Sequence, residues 1–267
     1  MSVTGEMWQR FPEVWFSGLA LLGACMGSFL NVVICRLPLA LSAEPAAASL
    51  IFRLLYPASH CTSCHARIRW YDNLPLISWG LLKGRCRCCG RSVSRQYPLV
   101  EALSLSLTLL AGLLYSPGPH LAGLLIFSWL LLALSAIDLN TLLLPDSLTL
   151  TLLWSGLLFN LNGLFSSLSD AVIGAVIGYV TLRLLCTLGE GIFRKPCLGY
   201  GDCKMVAGLA AWTGWQSLPK LLLLASALGL AGLTVAWLRG KKTFASPVPF
   251  GPALAAAGWL MLVSATH

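Results

Sequence analysis

The chain has 267 residues, of which 57% are hydrophobic and only 10% charged, against about 25% charged in an ordinary soluble domain. With a mean hydropathy of +0.78, this excludes a soluble enzyme, an intrinsically disordered chain and a disulfide-stapled secreted module. The net charge of +8 demands a cationic surface somewhere outside the lipid.

In chain order, apolar runs that read as membrane helices cover residues 14–35, 98–115, 121–137, 147–161, 171–188, 205–215, 218–238 and 250–263. The fold class expected is an all-α polytopic membrane protein with about eight transmembrane helices and a small zinc-binding cytoplasmic insert. The fourth run is somewhat short and the sixth is short and glycine-rich, so a count of seven stays open. Residues 1–36 form a periplasmic N-terminus and first helix, 37–97 a cytoplasmic insert, and 98–267 the membrane body. The orientation follows from charge. With the N-terminus outside, sixteen of the eighteen Lys and Arg residues fall in or beside the inner segments, leaving Arg10 and Lys220 outside, as the positive-inside rule requires. The first run is too long for a cleaved signal peptide and is followed by Arg36, so it reads as an uncleaved span, and the Leu22-Gly-Ala-Cys25 string as helix packing.

The insert carries Cys61-Thr-Ser-Cys64 and Cys86-Arg-Cys-Cys89, two CxxC pairs twenty-one residues apart. Four thiolates from two such turns complete the closed tetrahedral shell of a structural zinc site. A short cationic segment with few apolar residues needs such a staple. A redox dithiol or unpaired structural cysteines are the alternatives. Cys88 reads as a bystander that could replace Cys86 or Cys89, and His60 and His65 as solvated flanking residues. Cys35, Cys186, Cys197 and Cys203 read as buried apolar side chains.

Acids in or beside membrane spans are costly and therefore functional candidates. Asp138 ends the third span and Asp202 lies in Gly199-Tyr-Gly201-Asp202-Cys-Lys204; the topology brings both to the cytoplasmic end of the membrane. Two carboxylates sharing one proton make an aspartyl protease dyad, and Gly199 and Gly201 would let an extended substrate backbone come close. The competing reading has Asp202 capping a helix and Lys204 neutralising it. Asp146 and Asp170 read as helix N-caps, and Glu190 as a water-facing helix-end residue. Glu101 either pairs with a cation such as Arg36 or helps form a polar pocket.

Taken together, the ordered strings Gly27-Ser-Phe-Leu-Asn31 with Arg36-Leu-Pro38, the two CxxC pairs around Arg69-Trp-Tyr-Asp72-Asn73-Leu-Pro75, Ser94-Arg-Gln-Tyr97-Pro98-Leu-Val-Glu101, Ile137-Asp138 with Leu144-Pro145-Asp146, and Gly199-Tyr-Gly201-Asp202-Cys-Lys204 resemble the type IV prepilin peptidases. These are bifunctional leader peptidases and N-methyltransferases. The resemblance runs from Gly27 to about Lys204; beyond it the match is in hydropathy only. Leu198 replaces the family's usual methionine, and Cys203 stands between Asp202 and Lys204.

The resemblance implies a multi-pass protein of the bacterial inner membrane that cuts the basic leader from prepilins or pseudopilins after a glycine, on the cytoplasmic side. It then methylates the new N-terminal residue, usually Phe, with S-adenosylmethionine. It implies Asp138 and Asp202 as catalytic residues and Cys61, Cys64, Cys86 and Cys89 as zinc ligands. Asn31, Arg36, Asp72, Glu101 and Lys204 are polar members of matching motifs, candidates for support or methyl transfer. The expected partners are prepilin or pseudopilin substrates and membrane lipids, with no nucleic acid. A peptidase without methyl transfer and a non-enzymatic secretion-system scaffold are the alternatives.

Overall fold

The computed structural model describes residues 11–42, 59–61, 63–193, 199–240 and 248–264. Within them the chain is helical, with α1 (Pro12–Ser42), α2 (Ile77–Leu81), α3 (Gln96–Leu114), α4 (Pro119–Thr141), α5 (Asp146–Phe159), α6 (Leu168–Phe193), α7 (Tyr200–Thr213), α8 (Leu218–Leu238) and α9 (Gly251–Ser264). No strand is present among the described residues beyond two isolated bridges in the insert. Part of the expected insert (43–58), Arg10, Cys197 and Leu198 lie outside the described residues.

Every expected apolar run coincides with a helix. Five helices are long and apolar enough to cross a membrane by length and composition; α5, α7 and α9 have 14 residues each, about 21 Å at the α-helical rise. The exterior of α8 shows what its solvent is: Leu223 and Leu230 are 73% and 62% exposed, a pattern that suits lipid rather than water.

The chain divides into two compact units, Met1–Ala133 and Leu134–His267. In the first, α1 lies against α3 through Gly23 and Gly27. A Cβ at Gly27 would fall 2.7 Å from the Glu101 Cα, and one at Gly23 2.9 Å from the Leu105 Cα, the small-residue spacing that lets helix backbones approach in a bilayer. Ser104 Oγ donates to the Gly23 carbonyl at 2.7 Å, and Trp129 Nε1 to Thr108 Oγ1 at 3.3 Å.

In the second unit, α7 is the core. Ten of its residues are buried, in a continuous run from Met205 to Trp212 and at Asp202 and Cys203. A helix enclosed by other helices needs small side chains where backbones meet, which explains its modest apolar content and why its sequence reads as a short run. Its helix starts at Tyr200, five residues before the apolar run, so Asp202 lies inside the first turn. Gly156 of α5 faces the Trp212 indole, where a Cβ would meet it at 2.6 Å, and Gly174 of α6 faces the Ala210 carbonyl at 3.1 Å.

Asn160 closes the far end of this unit. Its amide donates to the Ala211 and Trp212 carbonyls at 2.9 and 3.2 Å and accepts from the Phe165 and Ser166 N–H groups at 2.9 and 3.0 Å. One side chain thus satisfies the carbonyls left open at the C-terminus of α7.

Two expected caps are corrected. The N-cap of α5 is Pro145, and Asp146 is the first helical residue, bonded to Lys204 instead. At α6 the capping group is Ser167, whose Oγ accepts from the Asp170 N–H at 3.0 Å and donates to the Asp170 carboxylate at 2.7 Å. Asp170 therefore occupies the third helical position, where its carboxylate meets the capping hydroxyl and lies at the positive end of the helix dipole.

Replacing Asn160 by Ala strips four hydrogen bonds from buried groups and should destabilise the protein by about 2 kcal/mol or more. The check is thermal unfolding in detergent; an unchanged midpoint would contradict this role.

Candidate active site and metal centre

Asp138 sits in the last turn of α4, 5% exposed. Its Oδ2 accepts a hydrogen bond from the Gly251 N–H at 2.7 Å. Gly251 is the first residue of α9, so its N–H belongs to the helix-end donors with no partner inside their own helix, and the positive end of the helix dipole favours a carboxylate. A Cβ at residue 251 would lie 2.8 Å from Asp138 Oδ2; glycine is what lets the backbone come so close. Sequence reasoning missed Gly251. The available signal was the Pro249-Phe-Gly251-Pro252 string, a helix-start pattern, but it lies past the last motif.

Asp202 is 8% exposed and its Oδ1 is buried with no hydrogen-bond partner. Its carboxylate faces the Gly199 backbone and stands within electrostatic reach of Asp138. The two acids, 64 positions apart in the sequence, thus stand at the ends of α4 and α7 where the charge of one acts on the other. A buried carboxylate oxygen without a partner is rare in a settled core and characteristic of reactive sites.

The surrounding residues separate into distinct jobs. A Cβ at Gly199 would lie 3.1 Å from Asp202 Oδ2, so this glycine makes room for the carboxylate itself. At Gly201 the space is filled by Leu144, 2.7 Å from an added Cβ, so the glycine seats the Leu144-Pro145 segment against α7. Lys204 Nζ pairs with Asp146 Oδ1 at 2.6 Å. The competing expectation that Lys204 neutralises Asp202 is thereby overturned: Lys204 points to the start of α5 and pairs with Asp146 there. Arg183 lies with its guanidinium 3.9 Å from the centre of the Tyr200 ring, a close cation–π contact that sequence reasoning also missed.

In the first unit, Cys61, Cys64, Cys86 and Cys89 place their sulfur atoms within 4.8 Å of one another. A tetrahedral ion with sulfur ligands at about 2.3 Å sets its sulfurs about 3.8 Å apart, close to the 3.9 Å between Cys61 and Cys89. The cluster could thus hold a metal ion. Two similar turns build it: the His65 N–H donates to the Cys61 carbonyl at 3.0 Å, and the Gly90 N–H to the Cys86 carbonyl at 2.9 Å. The residue that follows each CxxC pair has positive φ, 56° at His65 and 68° at Gly90. Backbone N–H groups of Cys64 and Ser63 pull the Cys61 thiol down to about 6, while burial and the neighbouring thiols push Cys64 up to about 12, so with no ion bound the cluster favours one thiolate rather than several. Cys88, His60 and His65 are outside the cluster.

The remaining polar candidates form a framework around this insert. Glu101 accepts from the Leu76 N–H at 2.8 Å, holding a non-glycine residue whose φ is 60°. Of the two expectations for Glu101, the contact that appears is with the backbone of the insert rather than with Arg36. Asn31 Nδ2 donates to the Tyr97 carbonyl at 3.0 Å, and the Tyr97 ring stands within the field of Arg36. Asp72 is held by Arg87 through bonds of 2.6 and 3.0 Å, and that guanidinium holds its carboxyl below the usual range.

Comparison with known proteins agrees over most of the chain. The bacterial peptidase A24 N-terminal domain matches residues 21–115, and the type IV leader peptidase family matches residues 125–234. A prepilin leader peptidase/N-methyltransferase of Pectobacterium carotovorum subsp. carotovorum is 49% identical over 268 residues, covering 95% of this chain and 94% of that protein. Proteins of the same name from Dickeya chrysanthemi and Aeromonas hydrophila are 48% and 43% identical, covering 95% and 98% of this chain and 94% and 95% of their own. No solved structure matches.

If the four thiolates form one closed site, the purified protein should carry about one metal ion per chain. A Cys64→Ser, Cys89→Ser variant should lose it, as read by elemental mass spectrometry. Equal metal content in the two proteins would contradict the site.

Proposed function

The chain belongs to the type IV leader peptidase family, and on that premise we propose that it is a membrane-embedded aspartyl endopeptidase acting on type IV prepilins or type II secretion pseudopilins. It cuts the basic leader after a glycine and then methylates the new N-terminal residue. What supports this reading is the burial of two carboxylates, Asp138 and Asp202, at the ends of α4 and α7 within electrostatic reach of each other.

Two close carboxylates cannot both ionise readily, so the pair holds one proton between them. In the cleavage step the ionised member takes a proton from water as the oxygen attacks the scissile carbonyl carbon. The protonated member gives its proton to the carbonyl oxygen. Collapse of the tetrahedral adduct breaks the C–N bond, and the leaving amine takes up a proton. Gly251 fixes one carboxylate through its N–H, Gly199 clears space for the other, and the Lys204–Asp146 pair anchors the start of α5 to α7 without engaging the dyad.

The basic residues gathered in the inner segments support placing the dyad and the cysteine insert on the cytoplasmic face of the inner membrane. There, in a reducing compartment, the four cysteines would hold zinc as a structural ion. The methyl group would come from S-adenosylmethionine. Asn31, Arg36, Asp72 and Glu101 would act in this half chiefly by holding the insert and the start of α3 in place.

The test is incubation of the purified protein in lipid with a prepilin bearing a Gly-Phe junction and S-adenosylmethionine, read by product mass. Cleaved, singly methylated product is expected, with at least a thousandfold loss of cleavage, roughly the scale for losing a catalytic group, in Asp138→Asn and in Asp202→Asn. Cleavage that survives in both variants would sink the dyad; intact precursor with the folded wild-type protein would sink the substrate assignment and favour a scaffold role.

A further inference from the structure

Two buried acceptors in the first unit have no donor. Asn31 of α1 is 3% exposed. Its Nδ2 donates to the Tyr97 carbonyl at 3.0 Å, which fixes the orientation of the amide, and its Oδ1 is buried with no hydrogen-bond partner. Glu101 of α3 is 8% exposed. Its Oε2 accepts from the Leu76 N–H at 2.8 Å; among the described residues its Oε1 accepts no hydrogen bond and no cation pairs with it. Holding the insert and the start of α3 therefore uses only half of each side chain. A buried carboxylate without a cation and a buried amide oxygen without a donor are both costly in a settled core.

The two acceptors lie on adjacent rungs of one helix pair. Gly27 of α1 backs onto the Glu101 Cα, which an added Cβ would meet at 2.7 Å. Asn31, one turn further along the same face of α1, reaches Tyr97, one turn before Glu101 on α3. Helical side chains lean toward the N-terminus of their own helix, so the Glu101 carboxylate is directed toward the Tyr97 rung. There the Asn31 amide stands, and Leu76 of the insert meets the carboxylate from its other side.

The chemistry of the missing partner follows from the open atoms. An amide oxygen and a carboxylate oxygen only accept, so a ligand that completes them brings N–H or O–H donors, and one that settles the buried carboxylate is a cation. A hard metal ion would need about six oxygen ligands, more than the pair supplies. An ammonium, with its donors around one charge, answers both atoms. Resting on the methyl-transfer reading above, we propose that Asn31 Oδ1 and Glu101 bind the α-ammonium group of an amino acid. Two molecules in that reaction carry one: the methionine end of S-adenosylmethionine and the freed N-terminus of the cleaved substrate.

The experiment uses the full chain in lipid nanodiscs and reads two quantities. One is the Kd of S-adenosylhomocysteine by calorimetry, with methylthioadenosine, which lacks the amino-acid end, as the control ligand. The other is the KM for methylation of a peptide with a free N-terminal Phe. Glu101→Gln keeps an oxygen for the Leu76 N–H but no charge, and Asn31→Leu removes the acceptor. Both should weaken one of the two quantities by about tenfold or more, the scale of a lost charge-assisted hydrogen bond, and leave methylthioadenosine binding unchanged. A raised Kd for S-adenosylhomocysteine assigns the site to the methyl donor; a raised KM for the peptide at unchanged Kd assigns it to the substrate N-terminus. Asn31→Asp loses the donor to Tyr97 yet keeps an acceptor, so it should retain amine binding, which a purely structural Asn31 would not allow. Wild-type Kd and KM in both Glu101→Gln and Asn31→Leu would overturn the proposal, as would a parallel loss of methylthioadenosine binding or equal losses in Asn31→Asp and Asn31→Leu. If the wild-type protein cleaves prepilin but neither binds S-adenosylhomocysteine nor methylates the peptide, it is the methyl-transfer reading that fails, and this assignment with it.

Discussion

The constraint on which the second unit depends is the burial of α7 on every side. A helix enclosed by α5, α6 and α9 has no room for side chains at the crossing points, and Gly156, Gly174, Gly178, Gly208 and Gly258 supply that room. Each added Cβ would meet a neighbour at 3.3 Å or less. In a bilayer, where apolar burial between helices gains little because the lipid is equally apolar, close packing of this kind is what holds helices together. It also fixes the one polar feature of α7, since a helix that cannot shift presents Asp202 at a fixed height.

Asp138 arrives at that height by a different route. It ends α4, and the start of α9 reaches it with the Gly251 N–H. One carboxylate is thus held by a hydrogen bond from a helix end, while the other keeps an oxygen free. Charged groups close by are diverted elsewhere: Lys204 goes to Asp146 and Arg183 to the Tyr200 ring. Among the described residues no cation pairs with Asp202, which leaves its carboxylate open to the charge of Asp138, the arrangement acid–base hydrolysis needs; it would be lost if Lys204 turned to Asp202.

The helices, the four-cysteine cluster and the two aspartates were legible in the sequence because each rests on local pattern: an apolar run, a CxxC turn, an acid beside a span. The missed contacts are long-range. Gly251 reaches Asp138 across 113 positions and Lys204 reaches Asp146 across 58, and neither spacing has a periodic signature. Asp146 and Asp170 show a subtler failure. An acid at a helix start fits an N-cap, but the first and third helical positions favour acids for the same dipole reason, so composition alone does not distinguish them. For Gly201, the glycine was visible but its neighbour was not, and Leu144 occupies space that the sequence suggested was open.

The account turns on Asp138 and Asp202 occupying one site. The direct measurement joins residues 138 and 202 after replacing both by Cys, with Cys186, Cys197 and Cys203 changed to Ser and a protease site placed beside Gly163. After treatment of the folded protein in lipid with a short bifunctional thiol reagent, followed by cutting at the new site, the two fragments should stay joined until the disulfides are reduced. A control carrying only one of the two replacements should separate at once. Fragments of the double variant that separate as readily as those of the controls would show that the two carboxylates do not meet.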